Sequence, residues 1–461
     1  MIEPFVVRHR EQLSYLLAEA AEIEHNLMCC YLYAGFSLKD ASDGDLSPAE
    51  LAAVDRWRAS VRAVAVEEMT HLALVSNLLT AVGGAPHFAR QNFPVAPGVH
   101  PARIVVELAP MDLATVDHFV FLERPEGVDL PDGDSFASPR AYVRGARTAR
   151  LMPNAQDYAT VGELYAAIRG GLESLARALG EDALFVGDPA AQVGADLISL
   201  PGLAEVRDLA SALAAVDTIV RQGEGTSGHV EGSHYHRFRA IREEYGALLA
   251  ARPGFAPARP VARNPVMRRP PTPQGKVWVN EPAAEEVLDL ANAVYTFSLR
   301  LLCQGFGWAG EAPAKRVLLD GAIDAMFALG TVSTALTTLP ASDDHPGVRA
   351  GTSFALLRAI APLPHGGGEW AFLAERAREL ADACAAAERL APALPRATRV
   401  LARVAEALAA ERDRRRSPRR LPLAPTPAAP TAAPAAPTPA IEEAATDAVT
   451  LRFEGERCIH A

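Results

Sequence analysis

Two tetrapeptides constrain this chain more than any other feature: Glu68-Met69-Thr70-His71 and, far downstream, Glu231-Gly232-Ser233-His234. Both read Glu-x-x-His, and residues three apart on an α-helix share one face. A helix-patterned segment with a lone glutamate precedes each motif, Glu24 before the first and Glu163 before the second. A lone Glu, a Glu-x-x-His, a second lone Glu and a second Glu-x-x-His, in that order, is how a four-helix bundle holds two metal ions on inward-facing side chains.

The surrounding sequence supplies the helices. In residues 9–38, Leu13, Leu16, Leu17, Ala20, Ile23, Leu27, Cys30 and Tyr31 recur at three- and four-residue steps. A second helix is predicted over 48–82, with Ser47 as cap, Pro48 at the first helical position and Gly83-Gly84 as the stop. Residues 85–157 are Pro-rich, with a β-like run Ile104-Val105-Val106-Glu107-Leu108 and a short helix at 111–122. So long a link between helical hairpins reads as a crossover or a cover over a site. A third helix is predicted at 160–179, opened by a Thr160/Glu163 capping box. The fourth begins near Val206 and meets Gly223, Gly225, Gly228 and Gly232, which predict a break before a helix resumes over 234–250.

Beyond a Pro- and Arg-rich linker at 251–282, the pattern predicts a second, smaller helical domain over 283–412, with a hairpin at 283–306 and 312–337. Residues 413–448 read as a basic, then Pro/Ala-rich linker expected to be disordered, and 449–461 as the strand-like start of a truncated module. The expected fold class is all-α: a four-helix dimetal bundle with a long crossover over 1–250, then the second helical domain and the tail.

The chemistry follows from where the carboxylates fall. Glu24 lies in the apolar stripe of the first helix, where a carboxylate is costly unless paired or metal-bound. Carboxylate and imidazole together suit iron or manganese and leave positions open for oxygen or substrate. Each residue also has a plainer reading. Glu68 and His71 alone could be a solvated face pair, and Glu163 in a first turn could be a cap. Glu224 lies two helical turns before Glu231 and competes with it, the one that does not ligate standing behind the other. The candidate metal set is Glu24, Glu68, His71, Glu163, Glu224, Glu231 and His234. Cys29-Cys30 read as packing residues.

Other classes are disfavoured. A formal charge of −11 argues against nucleic acid as the main partner. Five cysteines, odd in number and sparsely spaced, fit a reducing cytoplasm rather than a disulfide framework. Neither a signal-peptide pattern nor an uninterrupted apolar run of about 18 residues is visible, so no membrane span is expected. Phosphate-cradling glycine motifs and the Gly-x-Ser-x-Gly elbow do not occur.

Residues 20–34, from Ala20-Ala21-Glu22-Ile23-Glu24-His25 to Tyr33-Ala34, resemble the opening of the ferritin-like domain named for iminophenyl-pyruvate dimer synthase. That domain occurs in enzymes of violacein, rebeccamycin and staurosporine assembly. Glu67-Glu68-Met69-Thr70-His71, Thr160-Val161-Gly162-Glu163-Leu164-Tyr165, Gln222-Gly223-Glu224-Gly225 and Ser233-His234-Tyr235 are similar to the same family, over about residues 10–245. The resemblance implies two iron ions, with manganese as the alternative. It also implies oxidation or oxidative coupling of a small imine or amine derived from an amino acid, with dioxygen or peroxide. The alternatives are an iron-binding ferroxidase without organic substrate and a metal-free helical scaffold. The tail Arg452-Phe453-Glu454-Gly455-Glu456-Arg457-Cys458-Ile459-His460 is similar to the start of small CDGSH-like iron–sulfur modules, which need further Cys or His beyond it.

Overall fold

The computed structural model describes residues 7–96, 99–100, 105–136, 157–223 and 232–416. Residues 1–417 form one compact unit and 418–461 another. The second unit lies outside the described residues, and with it the expected linker end, the strand-like tail and the CDGSH-like resemblance.

Helix α1 (Arg10–Ser37) and helix α2 (Pro48–Ala81) form a long antiparallel hairpin. The apolar stripe of α1 is buried, as its spacing predicts, and Glu24, His25 and Asn26 are buried with it. Ser47 and Glu50 form the capping box of α2, with Pro48 at its first position, and Gly83 closes the helix at a positive φ of 86°. The crossover holds helix α3 (Leu113–Leu122), capped by the Asp112 carboxylate. The β-like run at 104–108 gives no strand among its described residues. Leu108 instead exchanges hydrogen bonds with Asn264, donating to its side chain and accepting from its backbone.

Helix α4 (Val161–Leu179), a single turn α5 (Glu181–Leu184) and helix α6 (Leu209–Gly223) follow. The bundle is α1, α2, α6 and α4, each packed on the next and α4 returning to α1. Helix α7 (His234–Ala251) starts after the expected break. It pairs with α3 and leans on α2, so α3 and α7 close the flank of the bundle. Tyr31, Phe119 and Phe238 bind α1, α3 and α7 together, with ring centroids 4.7–5.1 Å apart.

Downstream, a two-residue parallel pair sets β1 (Pro265–Val266) against β2 (Val277–Trp278). Helices α8 (Pro282–Phe306), α9 (Ala312–Leu336), α10 (Gly368–Ala387) and α11 (Leu394–Arg416) complete the described chain. Their buried side chains are continuous with the core of the first bundle. Tyr295 of α8, for example, reaches α1, with its hydroxyl 2.7 Å from His25 Nε2. By length and composition α9 could cross a membrane, but half of its most apolar stretch is buried among its neighbours, as in the core helix of many folded chains.

Candidate metal centre

Helix α2 places Glu68 and His71 on one face, inward, almost fully buried. The Glu68 carboxylate spans two imidazoles: Oε2 lies 3.2 Å from His71 Nδ1, and Oε1 lies 3.1 Å from His234 Nδ1. Glu24 comes from α1 and sets its Oε2 3.1 Å from the same His71 nitrogen. A further carboxylate, Glu123, caps the C-terminus of α3 and sets Oε1 3.5 Å from His234 Nδ1. Two overlapping trios result, Glu24–Glu68–His71 and Glu68–Glu123–His234. Within each trio one ligand atom per residue lies within 4.8 Å of the others, and every member is buried.

A second tier holds these groups in place. Tyr165 of α4 donates its hydroxyl to Glu24 Oε1, and Tyr31 of α1 donates to Glu123 Oε1. His71 donates Nε2–H to the Gln222 side-chain oxygen at 2.9 Å. His234 donates Nε2–H to Glu67 Oε2 at 2.9 Å, and Glu67 also accepts from Arg237 at 2.8 Å. The opposite nitrogen of each ring, Nδ1, faces the carboxylates.

Burial and neighbouring charge shape the electrostatics. Burial, together with the Glu68 charge, pushes Glu24 up to about 7 despite its contact with His71. Burial works against the Glu68 charge too, but His234 and His71 on either side hold it below the usual carboxylate range. Burial alone would depress His71, yet Glu24 and Glu68 lift it to about 10. His234 is likewise raised by Glu123 and Glu68, against its burial. Burial raises the hydroxyls of Tyr31 and Tyr165, and the adjacent carboxylates raise them further, so both remain donors.

Three buried carboxylates and two imidazole nitrogens converge here. His234 Nδ1 is buried and has no hydrogen-bond partner, although two carboxylate oxygens stand near it. A nitrogen lone pair turned toward anionic oxygens is repulsive unless a cation or proton lies between them. Carboxylates and imidazoles in two overlapping trios are a donor set that fits a hard or borderline divalent metal of the iron or manganese kind.

The candidates read from the sequence fare differently. Glu24, Glu68, His71 and His234 meet in one cluster. Glu163 does not join it: it is half-buried in the first turn of α4, where its carboxylate accepts the Ala159 backbone N–H at 2.6 Å and its own N–H bonds the Thr160 hydroxyl. The α4 side chain that does reach the cluster is Tyr165. Glu224 and Glu231 lie outside the described residues. Same-face helical geometry does not apply to the second Glu-x-x-His. Gly232 has a φ of 92°, Ser233 caps α7, and His234 is its first residue, so the motif straddles a helix start. Glu123 is the residue that pattern reading misses. It stands alone at the end of a short apolar helix, and the only signal is a Glu closing the run Phe119-Val120-Phe121-Leu122.

Comparison with known proteins agrees with this architecture. A family model described as ferritin-like matches residues 17–243. Dichlorochromopyrrolate synthase of Lentzea aerocolonigenes is 32% identical over 81% of this chain and 38% of its own length. The 2-imino-3-(indol-3-yl)propanoate dimerase of Chromobacterium violaceum is 29% identical over 73% of this chain and 33% of its own. The chain thus spans between a third and two fifths of the length of these relatives. A crystal structure of a ferritin-like protein from Caulobacter vibrioides aligns at 23% identity with a TM-score of 0.42, covering 71% of this chain and 98% of that one. The helical bundle and the family match lead to one conclusion: residues 17–243 of this chain are a ferritin-like domain.

Proposed function

We propose that the chain is a dimetal oxidoreductase of the ferritin-like class that oxidatively couples a small imine derived from an amino acid. The observation that carries this reading is the single Glu68 carboxylate set between His71 and His234, with Glu24 and Glu123 as outer carboxylates. In this reading Glu24, Glu68 and His71 hold one ion and Glu68, Glu123 and His234 the other, iron by family and manganese as the alternative. The metals supply the electron-accepting chemistry at the site. The two relatives whose names describe a chromopyrrolate synthase and an indolyl imino-acid dimerase support the substrate class.

The reaction replaces two C–H bonds by one C–C bond, releasing two electrons and two protons to dioxygen or peroxide. The protein's own groups do the positioning. Gln222 and Glu67 each hold Nε2 of one imidazole and so keep its Nδ1 turned to the carboxylates. Tyr165 fixes Glu24 Oε1 and leaves Oε2 turned to His71, whereas Tyr31 donates to Glu123 Oε1, the same oxygen that faces His234. Val161, Gly162 and Tyr165 from α4, with Ile219, Val220 and Gly223 from α6, line a small apolar-rimmed cavity over Glu24, Glu68, His71 and Glu123 that limits water around the reacting atoms.

That cavity also favours a second reading. Its volume is about 20 Å³, room for one water-sized molecule. A site open only to a diatomic gas would oxidise ferrous iron without an organic substrate.

Elemental analysis of protein purified anaerobically, beside the Glu68→Ala/His71→Ala double variant, tests the metal reading. About two metals per chain, lost in the variant, is the expected result; background metal in both would overturn it. Oxygen consumption with ferrous iron alone, against iron plus an indolyl imino acid with mass detection of a dimer, separates coupling from iron oxidation.

A further inference from the structure

The two halves of the cluster match closely. Each offers one outer carboxylate, one imidazole Nδ1 and a share of Glu68, and each outer carboxylate receives a hydroxyl from a buried tyrosine. The match fails behind the imidazoles. His71 is backed by Gln222, a neutral amide, whereas His234 is backed by the carboxylate of Glu67, itself held by Arg237. A carboxylate drawing on the far N–H leaves an imidazole more electron-rich at its other nitrogen than an amide does. A second asymmetry comes from an independent feature. All three carboxylates, Glu24, Glu68 and Glu123, line the small cavity under α4 and α6, but of the two imidazoles only that of His71 does.

We propose that the two metal positions are unequal by design of their outer partners. Glu67 is a positioning residue that makes the His234 position the tighter one and the first to fill. The position backed by Gln222 is the weaker, exchangeable one and faces the cavity through which a small reactant arrives. This inference rests on the dimetal reading and goes beyond it, because two bound metals of equal affinity would satisfy that reading equally well.

The test is an anaerobic titration of the full, metal-free chain with cobalt(II), followed by calorimetry and by the visible absorption of bound cobalt. The wild-type chain should bind in two phases. Glu123→Ala should remove the first and Glu24→Ala the second, assigning each phase to its half of the cluster. E67Q should weaken the first phase by on the order of 10- to 100-fold and leave the second nearly unchanged. Q222E should strengthen the second phase and narrow the gap, and Glu67→Asp should restore part of the first. Melting curves of each metal-free variant, read by circular dichroism, show that the fold is kept. Should E67Q not fold, Q222E carries the test from the opposite side. Two equal phases in the wild type, or an E67Q effect shared equally by both, would overturn the inequality and leave the dimetal reading standing. No cobalt bound by any folded form would overturn the dimetal reading itself.

Discussion

The rings of His71 and His234 lie 5.4 Å apart and 27° from parallel, and each turns Nδ1 toward the Glu68 carboxylate. One histidine comes from the middle of α2 and the other from the first residue of α7, yet a single glutamate serves both. Removing Glu68 therefore strips both halves of the cluster. Glu68→Ala should lower metal content from about two per chain to near background, while Glu24→Ala and Glu123→Ala should each leave about one. Elemental analysis against protein concentration decides this, and a Glu68→Ala protein that keeps its metal would remove the basis for a shared site.

Glu163 provides the contrast. Its carboxylate ties down the Ala159 N–H at the start of α4 and stands apart from the cluster. Glu163→Ala should cost ~0.3–1.5 kcal/mol of stability with metal content unchanged. Thermal melts and elemental analysis on the same sample read the two effects separately.

The buried polar group at Tyr295 joins α1, the crossover and α8. Its hydroxyl accepts from Arg90 Nε at 2.9 Å and lies 2.7 Å from His25 Nε2. Arg90 also donates to the backbone of Gln91 and Phe354, so among the described residues its guanidinium is held without a carboxylate partner in hydrogen-bond contact. Tyr295→Phe keeps the ring and strands two buried polar groups. It should destabilise the protein by about 1–3 kcal/mol, measured by denaturant titration, with little change in metal content.

Lys315 gives a pH signature away from the cluster. Its ammonium donates to the carbonyls of Ala190 and Gln192 at 2.8 and 2.7 Å. Burial brings it down to about 8, against the opposing charges of Glu205, Asp188 and Asp196. Between pH 8 and the unfolded value of 10.5, the unfolded chain binds the proton that the folded chain has released, so stability rises with pH across that window. Melting temperatures of the wild type and Lys315→Met should show the wild type gaining on the variant from pH 8 to 10. A constant difference would remove Lys315 as the cause.

The four sequence candidates that meet in the cluster share one property: a local pattern exposes them. Glu24 interrupts an apolar stripe, Glu68 and His71 lie three apart in an unbroken helix, and His234 follows a glycine cluster that announces a helix start. Helical periodicity and capping act over a few residues, so the linear sequence determined α1, α2, the break before α7 and the inward face of α2. Tertiary structure decided the remainder. Glu123 joins the cluster because α3 packs antiparallel to α7 and brings its own C-terminus beside the first turn of α7, a closure made by Tyr31, Phe119 and Phe238 rather than by any spacing near Glu123. Glu163 and Tyr165 stand two residues apart, roughly 200° around α4, so only one can face the cluster, and the packing of α4 on α1 and α6 makes it the tyrosine and leaves the glutamate at the cap. Nearby residues set which face a helix offers. How that face is rotated against its neighbours is a property of the whole packed core, and no short segment encodes it.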